Sequence, residues 1–390
     1  MARRASAGVV ATMAEPRIAV VGCGGMGHNH TRAAVQELGA RVVGGCDISP
    51  EARERYRRAW GTDAVYESWD ELYDKTRPDV VFVTTHGSFH APATIAAAEA
   101  GCHVFCEKPM ALSLADCDAM IEACDRNGVK LAINHIKRAS GYNGLVRHLI
   151  ASGDIGEVFA IQAYNKGARP SATEMTEMGT HIADWARVFA PDVQWAHGHV
   201  TVGGREATAA DIRPSTEIHG RHVDSGTVMG ERMFATYGAA GGINISINFW
   251  MEADNDDRSY GLDIFGTRGR YALRQSVDTN LYRHYGSHMS PVYNHQWEHV
   301  PMPSEDAPNG APLTKAEARD RLQGIMFREL WEAIQEDRDP ESSGREGRTA
   351  MEMMHAAWES HRRRARVDLP MTVRENPLDV WAADAARGEA

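Results

Sequence analysis

One strand–turn–helix–strand unit near the amino terminus constrains the fold more tightly than any other segment. Arg17-Ile18-Ala19-Val20-Val21 is apolar after its first residue, as a strand buried on both faces must be. It runs into Gly22-Cys23-Gly24-Gly25-Met26-Gly27, which fits G-x-G-x-x-G. A helical stretch from His28 to Leu38 follows, then a second strand, Arg41–Cys46, ending in Asp47. The glycines let the backbone turn tightly and approach a pyrophosphate, whose charge rests on the helix N-terminus. An acid about 20 residues on bonds the adenosine ribose hydroxyls, and Asp47 stands there. Its carboxylate would repel a 2′-phosphate, and Ile48-Ser49-Pro50 offers no arginine to receive one, so NAD is favoured over NADP. Arg53 is the residue that would argue the other way.

At 390 residues the chain predicts two domains, since single cores stop growing at roughly 250–300. It is 43% hydrophobic without an apolar run approaching membrane-spanning length. A net charge of −11 argues against nucleic acid as a partner, and Arg362-Arg363-Arg364 is expected on an exposed helix face. The six cysteines (Cys23, Cys46, Cys102, Cys106, Cys117, Cys124) form no C-x-x-C. They point to free thiols in a reducing, cytoplasmic compartment, with no zinc site or other metal. Residues 1–16 carry paired arginines but no proper apolar h-region. A disordered tail, with Met13 as an alternative start, is expected there, and an export signal is the alternative.

The alternation of helix and strand continues. Helices are expected at Pro50–Trp60, Ser68–Lys75, Ala91–Ala100 and Ser113–Asn127, and strands at Asp79–Val83, His103–Cys106 and Lys130–Asn134. After a helix near Tyr142–Ser152 the strands Val158–Tyr164, Met233–Tyr237, Gly242–Trp250, Tyr260–Phe265 and Arg270–Arg274 follow, several alternating apolar and polar residues. Gly266–Gly269 fits a hairpin turn, and 276–312 shows little periodicity. Helices return at Lys315–Glu336 and Arg345–Arg364. The predicted class is α/β. A tail at 1–16 precedes a doubly wound parallel Rossmann sheet at 17–136. An α+β domain at 137–390 follows, with a large, mostly antiparallel open sheet and late helices at 315–364.

Glu107-Lys108-Pro109 ends the strand His103–Cys106, at the mouth of the parallel sheet. A cation held there is placed to hydrogen-bond a substrate hydroxyl or help move its proton. With the glycine turn and Asp47, several further stretches carry a family resemblance. They are the Thr85-x-x-x-x-His90 loop, Ala100 through Pro109, Ser152-Gly153-Asp154-Ile155-Gly156-Glu157-Val158, the Gly266–Gly269 turn and Arg366-Val367-Asp368-Leu369-Pro370. From residue 16 to about 370 the chain resembles the glucose–fructose oxidoreductase / inositol dehydrogenase / rhizopine-catabolism (Gfo/Idh/MocA) family. The resemblance implies that Lys108 joins an Asp-x-Gly-x-His-like motif at the catalytic centre. The matching stretch is Glu177-Met178-Gly179-Thr180-His181-Ile182-Ala183-Asp184, with glutamate for the acid. The family's usual Thr-Pro-Asn reads Thr85-His86-Gly87.

If Glu177–Asp184 is one helix, Glu177 and His181 share a face at i and i+4, and His181 and Asp184 at i and i+3. A carboxylate beside an imidazole fixes its tautomer and makes a competent base near neutral pH. His181 is then expected to take the substrate hydroxyl proton while Lys108 bonds the same oxygen. Asp184 either contacts substrate or supports the helix. Gly22, Gly24, Gly25, Met26, Gly27, Asp47, Thr85, His86, His90, Glu107 and Lys108 form the expected cofactor set, although His90 equally fits a helix start. Lys166 and Arg169 are candidates for an anionic group on the substrate, and His135, Lys137 and Arg138 are similar candidates. The Tyr/His/Trp-rich stretch 282–297 suits either sugar stacking or an oligomer contact.

Two enzyme functions fit. One is an NAD-dependent dehydrogenase of a sugar, cyclitol or glycoside. The other is an NAD-recycling glycosidase of the same family, working through transient C3 oxidation, elimination and re-reduction, with an anionic (sulfonated or carboxylated) sugar as one candidate substrate. A nucleotide-sensing protein without catalysis is a third class, against which Lys108 and His181 both speak. A homodimer or homotetramer is expected, with strand 243–249 suited to an interface.

Overall fold

The computed structural model describes residues 15–165, 172–215, 224–250, 260–275, 279–286, 297–301 and 314–388. Residues 1–14 of the tail expected at 1–16, the candidates Lys166 and Arg169, and most of the stretch 282–297 lie outside the described residues.

The first half builds one parallel sheet. Its strands are β1 (Arg17–Val21), β2 (Arg41–Cys46), β3 (Val65–Tyr66), β4 (Val80–Val83), β5 (His103–Cys106) and β6 (Leu131–Ile133). Its helices are α1 (Gly25–Leu38), α2 (Pro50–Trp60), α3 (Trp69–Thr76), α4 (His90–Glu99) and α5 (Leu114–Asn127). Ser49 and Ser113 cap α2 and α5 by accepting the backbone N–H of Ala52 and Asp116. The strand order β3-β2-β1-β4-β5-β6 reverses between β1 and β4. A ligand crevice is expected at the carboxyl ends there. One boundary differs from expectation in a telling way. α1 starts at Gly25, inside the glycine motif, so its first turn belongs to the crevice.

The second half begins with α6 (Gly141–Ala151), β7 (Val158–Tyr164), α7 (Thr173–Glu177), α8 (Gly179–Arg187), β8 (Val193–Val202) and the short β9 (Arg205–Glu206). Next come β10 (Arg213–Pro214), β11 (Thr227–Val228), β12 (Arg232–Ala239), β13 (Asn244–Trp250), β14 (Gly261–Gly266) and β15 (Gly269–Gln275). Then follow β16 (Thr279–Tyr285), β17 (Glu298–Val300), α9 (Lys315–Gln335), α10 (Gly344–Arg363), β18 (Val367–Asp368) and α11 (Pro377–Arg387). The large sheet runs β17-β16-β15-β14-β7-β13-β12-β8-β18, with β9 beside β8. It is antiparallel except where β7 pairs parallel with β13.

Sequence periodicity missed β8, β16, β17 and α11. In β8 the inward-facing positions include Ala196 and Gly198, too small to register as an apolar alternation. β16 reads Thr-Asn-Leu-Tyr-Arg-His-Tyr and is held by pairing with β15 and β17, which a local pattern cannot show. α9 comes back to the first sheet. Phe327, Leu330 and Trp331 join Ile18, Phe82 and Phe105 in one core, with the Phe82 and Phe327 rings 5.0 Å apart. Two ion pairs tie α9 to α1. Arg32 reaches Asp320 at 2.7 Å, and Arg328 reaches Glu37 at 2.5 Å.

Candidate active site

The crevice starts where β1 ends. Gly22 has φ +100°, and a Cβ there would come within 2.8 Å of the Thr84 carbonyl carbon and oxygen. A Cβ on Gly27 would lie 2.3 Å from the Gly22 oxygen, so α1 packs directly on the turn. Both positions require glycine. Gly24 and Gly25 instead face open space. Gly24 is the N-cap and brings no side-chain bond, leaving the first helical N–H groups and the positive end of the helix dipole to the crevice. Asp47 flanks the turn, accepting the Cys23 N–H and the Ser49 N–H, each at 2.8 Å. Arg53 donates to the carbonyl oxygens of Asp47 at 2.7 Å and Ile48 at 3.2 Å, and lies 3.4 Å from Glu67. These contacts explain its place without a phosphate. The turn, the uncapped helix and Asp47 together fit a dinucleotide.

Past β5 the chain places two charged residues with different partners. Glu107 is buried and accepts from His30 Nε2 at 2.6 Å and Asn134 Nδ2 at 2.8 Å. Burial pushes this carboxyl up, but His30 and Lys108 more than reverse that and hold it at about 2. Lys108 Nζ donates to the Glu177 backbone oxygen at 3.0 Å and to Glu177 Oε2 at 2.5 Å. Burial lowers the ammonium pKa, yet Glu177 and Glu107 outweigh it and leave Lys108 raised, hence protonated at neutral pH. Ser225 Oγ donates to Glu177 Oε1.

The expected helix through 177–184 is broken. Met178 separates α7 from α8, so the single helix assumed for Glu177 through Asp184 is divided between the two. The Glu177 carboxylate is directed to Lys108 and Ser225 instead. His181 sits on the first turn of α8 and lines the same cleft as Lys108. Its ring meets His135 edge to face, with centroids 5.7 Å apart. His135 and Asp184 are fully buried, with Nδ1 and Oδ1 3.5 Å apart. Asp184 also accepts from Arg138 Nε and Nη2, the closest contacts being 2.8 and 2.7 Å. Burial raises this carboxyl, but His135 and Arg138 prevail and drive it well below the usual range. Asp184 thus braces the layer behind His181. Arg138, an anion candidate in the sequence, is engaged by Asp184 and by Glu346 of α10 at 2.6 Å.

His90 opens α4 and is buried, with Nδ1 2.8 Å from the Pro109 oxygen and Nε2 3.1 Å from the Thr85 oxygen. It braces the Thr85 loop against the Glu107–Pro109 turn, and burial lowers its pKa. Thr85 and His86 line the cleft directly.

The cleft measures about 710 Å³. Met26, His86 and Lys108 line it from the first half of the chain, and Glu177, Met178 and His181 from the second. Residues that sequence reasoning missed complete it, chiefly Asn134, Tyr260, Arg319 and Gln323. For Arg319 and Gln323 no local signal existed, because they reach the cleft only through the packing of α9 on α1. A hollow of equal size lies by Asp70, Arg77 and Glu99, but neither the glycine turn nor Lys108 borders it.

Parts of this chain are similar to known proteins. An inositol 2-dehydrogenase of Gluconacetobacter diazotrophicus is 36% identical over 167 residues, 41% of this chain and 49% of that protein. A 2,7-anhydro-N-acetylneuraminate hydratase of Mediterraneibacter gnavus is 34% identical over 149 residues, 38% of this chain and 39% of that protein. The chain thus spans half or less of the length of these curated relatives. A levoglucosan dehydrogenase solved with NADH and levoglucosan superposes with a TM-score of 0.71 over 92% of this chain and all of that one, at 19% identity, a likeness of fold. Residues 16–135 match the oxidoreductase family with an NAD-binding Rossmann fold. The glycine turn, Asp47 and the Glu107–Pro109 turn all fall within residues 16–135, the part of the chain that matches the NAD-binding Rossmann domain of the Gfo/Idh/MocA oxidoreductase family.

Proposed function

We propose that this protein is an NAD-dependent oxidoreductase acting at a hydroxyl-bearing carbon of a sugar, cyclitol or glycoside. One observation carries the reading. A protonated lysine and an imidazole, Lys108 and His181, line a single cleft whose other wall includes Met26 of the dinucleotide turn. NAD bound at that turn supplies the hydride acceptor. Lys108 holds its proton and donates a hydrogen bond to the substrate oxygen, steadying negative charge as it develops there. His181 accepts the hydroxyl proton. Glu177 and Ser225 aim Lys108, and His135 with Asp184 backs the His181 ring.

An NAD-recycling glycosidase or lyase is the second reading, favoured by the relative named as a hydratase of an anhydro sugar. Such an enzyme would use the same two groups to move protons while NAD returns unchanged. A panel of polyols, aldoses and glycosides, followed in parallel by NADH absorbance and by aglycone release with catalytic NAD, separates the two. Substrate-dependent NADH formation supports the first. Product release without net NADH supports the second, and silence in both channels across the panel refutes the pair. Association of copies through the second sheet is also proposed, supported by the exposed Phe234 and Trp250. Sedimentation of Trp250→Ser as a dimer or larger species indistinguishable from the parent would refute that face.

A further inference from the structure

α9 is some 180 residues beyond the first sheet in sequence, yet it walls the dinucleotide cleft. Asp320 accepts from Arg32 Nε at 2.7 Å and Nη2 at 3.2 Å, and this lock on α1 lays Arg319, Leu322 and Gln323 along the cleft that Met26 and His86 also line. Gln323 is 1% exposed, and its Oε1 has no hydrogen-bond partner among the described residues. Asn134 is 3% exposed and lines the same cleft. Its Nδ2 is committed to Glu107, while its Oδ1 is likewise without a partner. Buried amide oxygens are nearly always satisfied, so orphans on the wall of a binding cleft mark places where a ligand donor belongs.

We propose that Gln323 is a specificity residue of the cofactor site, its amide oxygen accepting from the carboxamide N–H₂ of the nicotinamide. The inference rests on the reading of this cleft as a dinucleotide site. Donor and acceptor counts favour it. A carboxamide brings two N–H donors to a cleft with two open amide acceptors, Gln323 Oε1 and Asn134 Oδ1. A sugar hydroxyl brings one donor and wants one in return. Through Gln323 the second half of the chain would sense the nicotinamide end of the cofactor.

The test measures dissociation constants for NADH and for ADP-ribose, which lacks the nicotinamide, together with the unfolding temperature of the cofactor-free protein. Gln323→Leu should weaken NADH about 3- to 10-fold, the scale of one hydrogen bond. It should leave ADP-ribose unchanged and leave the unfolding temperature equal or higher, because a buried unsatisfied oxygen is removed. Gln323→Glu, which keeps an acceptor, should recover part of the NADH loss. Asp47→Ala is the control and should weaken both ligands. Unchanged NADH affinity in Gln323→Leu, an equal loss for ADP-ribose, or a lower unfolding temperature overturns the assignment. If Asp47→Ala also leaves both ligands at parental affinity, the dinucleotide reading of the cleft itself falls.

Discussion

His355 gives α10 a built-in sensitivity to acid. It is fully buried beside Trp358, with ring centroids 6.2 Å apart, and neither ring nitrogen meets a hydrogen-bond partner among the described residues. Burial alone drives its pKa from 6.5 to about 3. The native state therefore keeps the ring neutral, while the unfolded chain takes up a proton below pH 6.5. The sign follows directly. Stability from this residue is intact above pH 6.5 and falls as pH drops, levelling off only near pH 3. At pH 5 the unfolded ring is protonated roughly 30-fold over neutral, which removes about 2 kcal/mol relative to pH 8. His355→Met conserves volume and removes both the titration and the orphaned nitrogens. It should equal or exceed the parent at pH 8 and gain a further 2 kcal/mol, roughly, at pH 5. Urea unfolding of both proteins at pH 8, 6 and 5, monitored by the buried tryptophans, measures this. A stability difference that stays flat across that range would mean the imidazole is hydrated or paired, and would refute the argument.

Three further outcomes test the site. Lys108→Met and His181→Ala should each lower kcat by roughly 10²–10⁴ on the substrate found by screening, and the double variant by far less than the product, since both serve one proton transfer. Parental kcat in His181→Ala would remove it as the base. Glu177→Gln withdraws the charge that chiefly offsets the burial of Lys108, so the lysine pKa should fall. The alkaline limb of the pH profile for kcat/KM should then move to lower pH, and a fixed limb would show that Lys108 is not the group titrating there. Asp184→Asn should destabilise the fold by about 3 kcal/mol near pH 7, because Arg138 is left with a buried, half-satisfied guanidinium. That penalty should shrink as pH falls below the usual carboxylate range, where the unfolded parent takes up a proton that native Asp184 resists.

The glycine turn, the parallel sheet and Lys108 were legible because each rests on local pattern. Strands buried on both faces are apolar throughout, and the turn needs glycine for steric reasons that five strands of context make unambiguous. The second sheet was legible only where alternation was strong, as in β13. β8 escaped because Ala196 and Gly198 occupy inward positions, and β16 because its pairing, not its composition, makes it a strand. The single helix expected over Glu177–Asp184 is instead divided at Met178. The Glu177 carboxylate meets Lys108, 69 residues away, a contact that no local pattern shows. Arg138 could not be told from a substrate-binding arginine, because its partners, Asp184 and Glu346, lie 46 and 208 residues away.

That long-range character has a consequence for the chemistry. Lys108 follows β5 of the parallel sheet, and the carboxylate that fixes it lies on α7, 69 residues on. His181 follows four residues after Glu177, on the next helix, so a shift of α7–α8 against the first sheet would move His181 and release the lysine together. α9 opposes such a shift through Asp320 and Arg328 on α1, and Arg138 opposes it by joining the end of β6 to α8 and α10. The ion pairs with Asp320 and Glu37 are partly exposed and individually weak. The buried Arg138–Asp184 contact is the one whose loss leaves a charge stranded. The precision of the Lys108–His181 site therefore depends most on residues that touch neither cofactor nor substrate. Asp184→Asn should accordingly lower kcat as well as stability, whereas Arg328→Gln should change neither by much.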